Sequence, residues 1–196
     1  LSPEASMKSA FLRSLAAALM GLAAVTAAAQ GSGLKGPIAS RPAFLTSVGQ
    51  QGADVEAVKV LMDRAGIPYK ADAKARASAL APSGAKTLVL AIGGSAKALG
   101  SAGLSAEEEL ERTRAVVAEA RKRGMKVIGL HVGGEARRGE LPDRFVTVAA
   151  PLCDYVIVVA DGNKDGLFNK LCAKSGLDVV DKLSRAGDPL AKAFLQ

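Results

Sequence analysis

The stretch TLVLAIGGSAKALGSAG, residues 87–103, is an apolar run that ends in a glycine-rich loop. The pattern recurs in KVIGLHVGGEARRGE at residues 126–140 and in DYVIVVADGNKDG at residues 154–166. Uninterrupted apolar runs of this length are typical of parallel strands that helices cover on both faces. Because the carboxyl ends of parallel strands meet at one edge of a sheet, we expect the three loops to lie at the edge where open α/β sheets bind ligands.

Segments with strand and helix patterns alternate along the rest of the chain. Further strands are predicted at residues 43–48, 67–69 and 177–180, and helices at residues 54–65, 71–80, 105–123, 165–174 and 189–195. Residues 141–150 are predicted to form a short helix or an irregular connection. This alternation predicts a doubly wound, flavodoxin-like or Rossmann-like three-layer sandwich around five or six mostly parallel strands. The short second strand is expected at one edge of the sheet, with the first strand beside the third.

The first 29 residues have the pattern of a secretory signal peptide. Met7 is the expected start, Lys8 and Arg13 supply positive charge, and an apolar run at residues 15–25 precedes a small-residue cleavage site at residues 27–29. The apolar run is shorter than the roughly 20 residues that a membrane span needs. We therefore predict a periplasmic or secreted protein with no stable membrane insertion after cleavage. The predicted organisation is a signal peptide with an upstream extension at 1–29, a flexible linker at 30–42 and a single α/β domain at 43–196.

The composition narrows the choice of partner. The chain carries 26 Lys and Arg against 19 Asp and Glu, for a formal net charge of +7. Only 4% of the residues are aromatic and none is Trp, so the surfaces on which nucleic-acid bases stack are lacking. We therefore expect no nucleic acid, and we expect a small anionic ligand or an acidic surface of the cell envelope instead. A protein partner stays open, as does positive charge that only keeps the protein soluble.

The two cysteines, Cys153 and Cys172, invite a disulfide in an exported chain. Cys153 precedes the predicted strand at residues 155–159, and Cys172 lies in the helix predicted after it. A helix packs about 10 Å from a sheet, whereas the Cα atoms of a disulfide lie within about 7 Å of each other. This spacing favours the alternative, two buried thiols.

The loop at residues 93–103 is a candidate anion site. Its glycines let backbone N–H groups approach an anion, Ser95 offers a hydroxyl, and Lys97 offers positive charge. The spacing matches neither a P-loop nor the G-x-G-x-x-G of dinucleotide-binding folds, so a nucleotide site is not predicted. Gly94, Ser95 and Lys97 are predicted to bind the ligand, with the alternative that the glycines only let the chain turn.

The next loop adds three candidates. His131, the only histidine, ends a predicted strand, and Arg137 and Arg138 follow it. Paired arginines can hold a carboxylate or phosphate through two parallel hydrogen bonds. His131, Arg137 and Arg138 are therefore predicted to complete the ligand site. The alternatives are a structural histidine and arginines that face solvent or pair with nearby acids.

Residues 161–166, DGNKDG, match the first half of a calcium loop. Asp161, Asn163 and Asp165 would supply alternating oxygen ligands, and a glycine the sharp turn. Position twelve of the motif is Cys172 instead of a bidentate Glu, so we predict at most weak Ca²⁺ binding and no other cofactor. The same residue types also form ordinary tight turns between a strand and a helix.

Ser95, His131 and Asp161 fall at the ends of three successive predicted strands and could form a hydrolase triad. However, Ser95 lacks the G-x-S-x-G elbow that exposes a nucleophile, and the order Ser, His, Asp differs from the usual hydrolase order. No residue is therefore assigned as catalytic. A hydrolase stays an alternative to a binding protein.

The combination of FLTSVGQ at residues 44–50, IGGSAKALGSAG at 92–103, HVGGEARRG at 131–139 and DYVIVVADGNKDG at 154–166 is distinctive. Through these motifs the chain resembles an uncharacterised family of small exported bacterial α/β proteins, a domain of unknown function. The resemblance covers most of residues 43–181. It implies the fold and export, and it implies no activity.

These observations favour an exported, periplasmic binding protein for a small anionic ligand at the carboxyl edge of the parallel sheet. Catalysis is the less favoured expectation. Besides the hydrolase, a further alternative is an envelope interaction module that binds no small molecule.

Overall fold

A single parallel sheet organises the part of the chain that the computed structural model describes, residues 33–195. Its strands are β1 (Ala43–Val48), β2 (Tyr69–Ala71), β3 (Thr87–Ile92), β4 (Lys126–His131), β5 (Tyr155–Val159) and β6 (Gly176–Val180). They pair in parallel in the order β2-β1-β3-β4-β5-β6. The predicted position of β2 at an edge, with β1 beside β3, is confirmed.

Helices cover both faces of the sheet. They are α1 (Gly52–Arg64), α2 (Leu80–Ser83), α3 (Ala96–Ala102), α4 (Ala106–Lys122), α5 (Glu140–Ala149), α6 (Leu167–Leu171) and α7 (Gly187–Ala193). The buried side chains of α1 and α7 belong to one apolar cluster, and those of α2 to α6 belong to the other. The predicted three-layer α/β sandwich is therefore confirmed.

Strand β3 shows how an apolar run packs against the helices on both faces of the sheet. All six of its residues are buried. Leu88, Leu90 and Ile92 pack in the cluster beneath α2 to α6, whereas Val89 and Ala91 pack in the cluster beneath α1 and α7. Successive side chains of a strand point to opposite faces of the sheet. When helices cover both faces, apolar residues therefore occur at successive positions instead of alternating with polar ones.

The helix predicted at residues 71–80 is largely absent. That segment holds a 3₁₀ turn at Ala77–Ala79, and the short helix α2 follows it. The side chain of Asp72 accepts a hydrogen bond from the backbone N–H of Lys74 at 2.9 Å. An Asp that bonds the backbone two residues on stabilises a turn in place of a helix, which explains the difference.

The segment before β1, predicted as part of a flexible linker, hydrogen-bonds to the domain. Ala39 N donates to Ala193 O at 2.9 Å, and Ser40 N donates to Thr87 Oγ1 at 3.1 Å. The predicted signal peptide and its cleavage site lie outside the described residues. Within residues 33–195, no helix is long and apolar enough to cross a membrane.

Both cysteines are free and buried. Cys153 precedes β5, and its thiol donates to Ala149 O at 3.3 Å. Cys172 immediately follows α6. Burial raises the pKa of both thiols above the ordinary value, so both are held as neutral apolar groups.

Candidate functional site

The point where the chain reverses its direction of travel through the sheet lies between β1 and β3. From β1 the chain moves outward to β2, and from β3 it moves the other way through β4 to β6. The loops after β1 and β3 are joined there, since Gly93 N donates to Val48 O at 2.9 Å and Gln50 forms an antiparallel bridge with Gly94. Ligands of open α/β sheets bind at such switch points.

Arg137 crosses from the loop after β4 to this switch point. Its Nε lies 3.3 Å from Asp54 Oδ1, in the first turn of α1. The amide oxygen of Gln51, in the orientation that satisfies both ends of the amide, accepts from Arg137 Nε at 3.2 Å and from Nη2 at 2.5 Å. The other end of that amide lies 3.4 Å from Ser95 Oγ. Three loops of the carboxyl edge therefore meet through Gln51, Asp54, Ser95 and Arg137, which we call the switch-point cluster.

A glycine makes this approach of Arg137 feasible. A Cβ atom at Gly133 would lie 2.1 Å from Arg137 Cγ and 3.2 Å from Asp54 Oδ1. No side chain at position 133 is compatible with the observed course of the arginine. The glycine-rich sequence of the β4 loop thus serves the placement of Arg137.

Asp54 is an unexpected member of the cluster. Only 4% of its surface is exposed, and its Oδ2 has no hydrogen-bond partner in the described part of the chain. Burial raises the pKa of this carboxyl, and the nearby guanidinium of Arg137 opposes that rise. The only sequence signal for Asp54 was an acid in the first turn of a helix, which is common at helix N-termini.

A second polar cluster lies behind the first one, on the α4 side of the sheet. The Glu109 side chain is fully buried and accepts from Gly49 N at 2.8 Å, from Gln50 Nε2 at 2.9 Å and from Arg112 Nε at 2.8 Å. Gln50 has a φ of 60°, which non-glycine residues rarely adopt. The Glu109 carboxylate therefore fixes a strained residue at the switch point.

Arg112 extends this buried cluster to the neighbouring segments. Its guanidinium donates to Ala75 O at 2.8 Å, to Thr46 Oγ1 at 3.3 Å and to Ser47 O. Glu109 is not among the residues predicted from the sequence, where its one signal is its place, four residues before Thr113, on the buried face of α4.

His131 lies inside the protein and not in an open cleft. None of its surface is exposed, its Nδ1 lies 3.0 Å from Ile92 O, and its ring centroid lies 5.0 Å from that of Phe168. Burial lowers the pKa of His131, so the imidazole is kept neutral. Its arrangement is that of a packed core residue.

Arg138 turns away from Arg137 toward the loop after β5. It pairs with Asp143 through Nε at 2.6 Å and with Asp165 through Nη2 at 2.8 Å, and Gly162 O accepts a third contact. Asp165 and Asp143 raise the pKa of Arg138 further, and the hydrogen bond from Arg138 lowers the pKa of Asp165 to about 2. Both carboxylates hold the guanidinium, so its charge is already satisfied.

The three predicted residues of the β3 loop have different surroundings. Gly94 is buried between Gly49 and Phe145. Ser95 caps α3 by accepting from Ala98 N at 3.1 Å. Lys97 is exposed and forms no ion pair within residues 33–195. Of the six predicted ligand residues, Gly94, Ser95 and Arg137 come together at the switch point, whereas His131, Arg138 and Lys97 do not join them there.

A family model for a domain of unknown function, DUF6305, matches residues 40–194. The chain belongs to this family. No curated protein and no solved structure matches the chain. The DUF6305 match supports the resemblance to an uncharacterised family, and export stays a prediction.

The predicted calcium ligands of this DUF6305 domain are engaged by other groups. Asn163 Oδ1 accepts from Phe168 N at 2.9 Å, Asp165 binds Arg138, and Asp161 lies 3.6 Å from Lys164 Nζ. Within residues 33–195, no group of three or more His, Cys, Asp or Glu side chains is placed to hold a metal ion. Weak calcium binding stays a prediction that would require Asp165 to leave Arg138.

The three residues of the alternative hydrolase triad do not contact one another in the DUF6305 domain. Ser95 Oγ bonds its own helix and faces Gln51, His131 is enclosed, and Asp161 lies on the surface beside Lys164. A histidine must reach the nucleophile within hydrogen-bond distance to act as its base. The contacts described here supply no such pair.

Proposed function

We propose that this protein is an exported binding protein whose ligand is a small anion held by Arg137 at the β1/β3 switch point. The single observation that carries the proposal is the contact between Arg137 and Gln51. The amide oxygen of Gln51 accepts from both Nε and Nη2 of the guanidinium. That pair of donors is the one through which an arginine holds carboxylate or phosphate in bidentate geometry.

Binding would replace a neutral acceptor by a charged one. A carboxylate or phosphate adds charge attraction and a second acceptor oxygen to what the single amide oxygen of Gln51 offers, so we expect an anion to displace that amide. Arg137 remains about one quarter exposed, with 24% of its side-chain surface open to solvent, and is therefore reachable. Asp54 Oδ1 lies 3.3 Å from the same Nε, so the ligand would share that donor with Asp54 and would take over Nη2 from Gln51.

Three neighbouring features favour negative charge at the same place. Helix α1 starts at Gly52, and the side chain of its N-cap residue Gln51 makes no cap hydrogen bond. The first N–H groups of a helix of this length attract anions. The hydroxyl of Ser95 and the ammonium of Lys97, at the start of α3, would add a hydrogen bond and long-range attraction.

A calorimetric titration of the full chain with phosphate and with small di- and tricarboxylates tests this proposal. Arg137→Lys keeps the charge but not the fork of donors, and Arg137→Gln removes both. We expect affinity to fall about tenfold or more in Arg137→Gln and by less in Arg137→Lys. Arg144→Gln is the matched control, because Arg144 pairs with the exposed Glu107 on the surface and should leave affinity unchanged.

Two results would overturn the proposal. One is that none of these anions binds the wild-type protein. The other is that Arg137→Gln binds as tightly as wild type while its thermal melt shows a folded protein. Export has its own test, which is N-terminal sequencing of the protein recovered from the periplasm, where a chain starting at Gln30 is expected.

A further inference from the structure

The excess positive charge of the domain is not concentrated at the carboxyl edge. Residues 1–32 hold Lys8, Arg13 and Glu4, so residues 33–196 keep +6 of the formal charge of +7. At the carboxyl edge, Arg112, Arg137 and Arg138 are each paired with a buried or partly buried carboxylate. Near that edge, Lys97 adds one cation that is unpaired among residues 33–195, and the rest of the surplus lies elsewhere on the surface.

A groove at the opposite edge of the sheet, where the strands begin, is lined by four cations. Its cavity of about 530 Å³ is lined by the segment before β1, the start of β3 and the turn between α4 and β4. The charged residues that line it are all basic: Arg41, Lys86, Arg123 and Lys126. We call this cavity the amino-edge groove. Its volume lies in the range of small-molecule sites.

Acids near the amino-edge groove neutralise only part of this charge. Glu119 binds Arg123 at 2.7 Å, and Asp154 lies 3.8 Å from Lys126 Nζ while binding Arg121 more closely. In the part of the chain that the structure describes, Arg41 and Lys86 have no acidic partner. The buried Nε of Arg41 also lacks a hydrogen-bond partner there.

The C-terminus of α4 explains only some of these cations. Basic residues in the last turn of a helix offset its negative end, which accounts for Arg123 and its neighbour Lys122. Arg41 and Lys86 come from other segments. Lys86 is fixed through its backbone, since Lys86 N donates to Pro42 O at 2.8 Å. The groove therefore gathers charge from three parts of the chain, beyond what one helix end requires.

We propose that the amino-edge groove binds a phosphate group, carried either by a free small molecule or by a lipid headgroup. A phosphate offers several acceptor oxygens and up to two negative charges, which suits an arginine and lysines that converge on one cavity. This site is separate from the switch-point cluster, which lies at the other end of the strands. Phosphate binding in the amino-edge groove would account for part of the excess positive charge of the domain.

The test uses the full chain and two kinds of probe. Inorganic phosphate and pyrophosphate are titrated by calorimetry, and vesicles of phosphatidylcholine with or without phosphatidylglycerol are used for co-sedimentation. Lys86→Gln and Arg41→Gln remove groove cations. Lys122→Gln is the matched control, because it removes an exposed cation of the same edge that does not line the groove. All variants keep the same N-terminal apolar segment, so its own membrane affinity cancels in the comparison.

We expect saturable binding to at least one probe, weakened about three- to tenfold by Lys86→Gln or Arg41→Gln and little changed by Lys122→Gln. Binding to phosphate or pyrophosphate identifies a free phosphate ligand, and binding only to the anionic vesicles identifies a headgroup. Failure to bind either probe overturns the proposal. Equal weakening by Lys122→Gln and Lys86→Gln also overturns it, because nonspecific charge would then explain the binding. All of these measurements use the Arg137→Gln background, in which the switch-point site is disabled, so phosphate binding that remains reports on the amino-edge groove, and its failure leaves the switch-point proposal untouched.

Discussion

Replacing Glu109 by Ala should destabilise the domain severely. The carboxylate is fully buried and accepts from Gly49 N, Gln50 Nε2 and the Arg112 guanidinium. Without this carboxylate, the guanidinium of Arg112 has no counter-charge, although only 9% of its side chain is exposed. Removing one partner of a buried ion pair costs about 3–5 kcal/mol. Since domains are stable by only about 5–15 kcal/mol, this loss is a large share of the total.

Urea unfolding followed by circular dichroism measures this loss. Glu111→Ala is the matched control, because Glu111 lies two residues on in the same helix and is exposed. We expect the control to change the free energy of unfolding by less than about 0.5 kcal/mol. The double variant Glu109→Leu with Arg112→Met should cost less than Glu109→Leu alone, since no unpaired charge remains. A loss below about 1 kcal/mol in Glu109→Ala, or additive effects in the double variant, would refute this reasoning.

Two further predictions concern His131 and the β3 loop. Burial lowers the pKa of His131, so only the unfolded chain takes up its proton below about pH 6.5. Above that pH, His131 should therefore not change the free energy of unfolding. As the pH is lowered from there, the free energy of unfolding should decrease by up to about 1.4 kcal/mol per pH unit. This pH-dependent component should be absent in His131→Leu. An equal slope in the variant would contradict it. Gly94→Ala places a Cβ 2.7 Å from Phe145 and should cost about 1–3 kcal/mol, whereas Gly100→Ala, in open space on α3, should stabilise by about 0.5–1 kcal/mol. Similar melting temperatures for the two alanine variants would argue against the close packing at Gly94.

Local sequence patterns were sufficient to predict those elements that depend on interactions between near neighbours along the chain. The apolar run of β3 forms the predicted strand, and the helix predicted at residues 105–123 is present as α4, capped by Ser105. The turn at Asp72 shows where they were not sufficient. A short alanine-rich segment forms a helix or a turn at similar free energy, and one side-chain hydrogen bond decides between them.

The candidate site was likewise predicted only in part from the sequence. The sequence located it at the carboxyl edge of the sheet and named Arg137 and Ser95 as members. It also treated Arg137 and Arg138 as one pair, although the structure sends them to different loops. Adjacent residues in such a loop point in different directions. Arg137 therefore reaches Asp54, whereas Arg138 reaches Asp165.

By itself, therefore, the sequence determined the layers, the parallel sheet and the edge where its loops meet. These follow from the periodicity of apolar residues, which is a property of neighbours along the chain. Only the tertiary structure decided which charges remain free. It buried Glu109 against Arg112, enclosed His131 and left Arg41 and Lys86 without acidic partners among the described residues. Pairing depends on distances of a few ångströms between residues far apart in sequence, because charge attraction and desolvation both change steeply over that range.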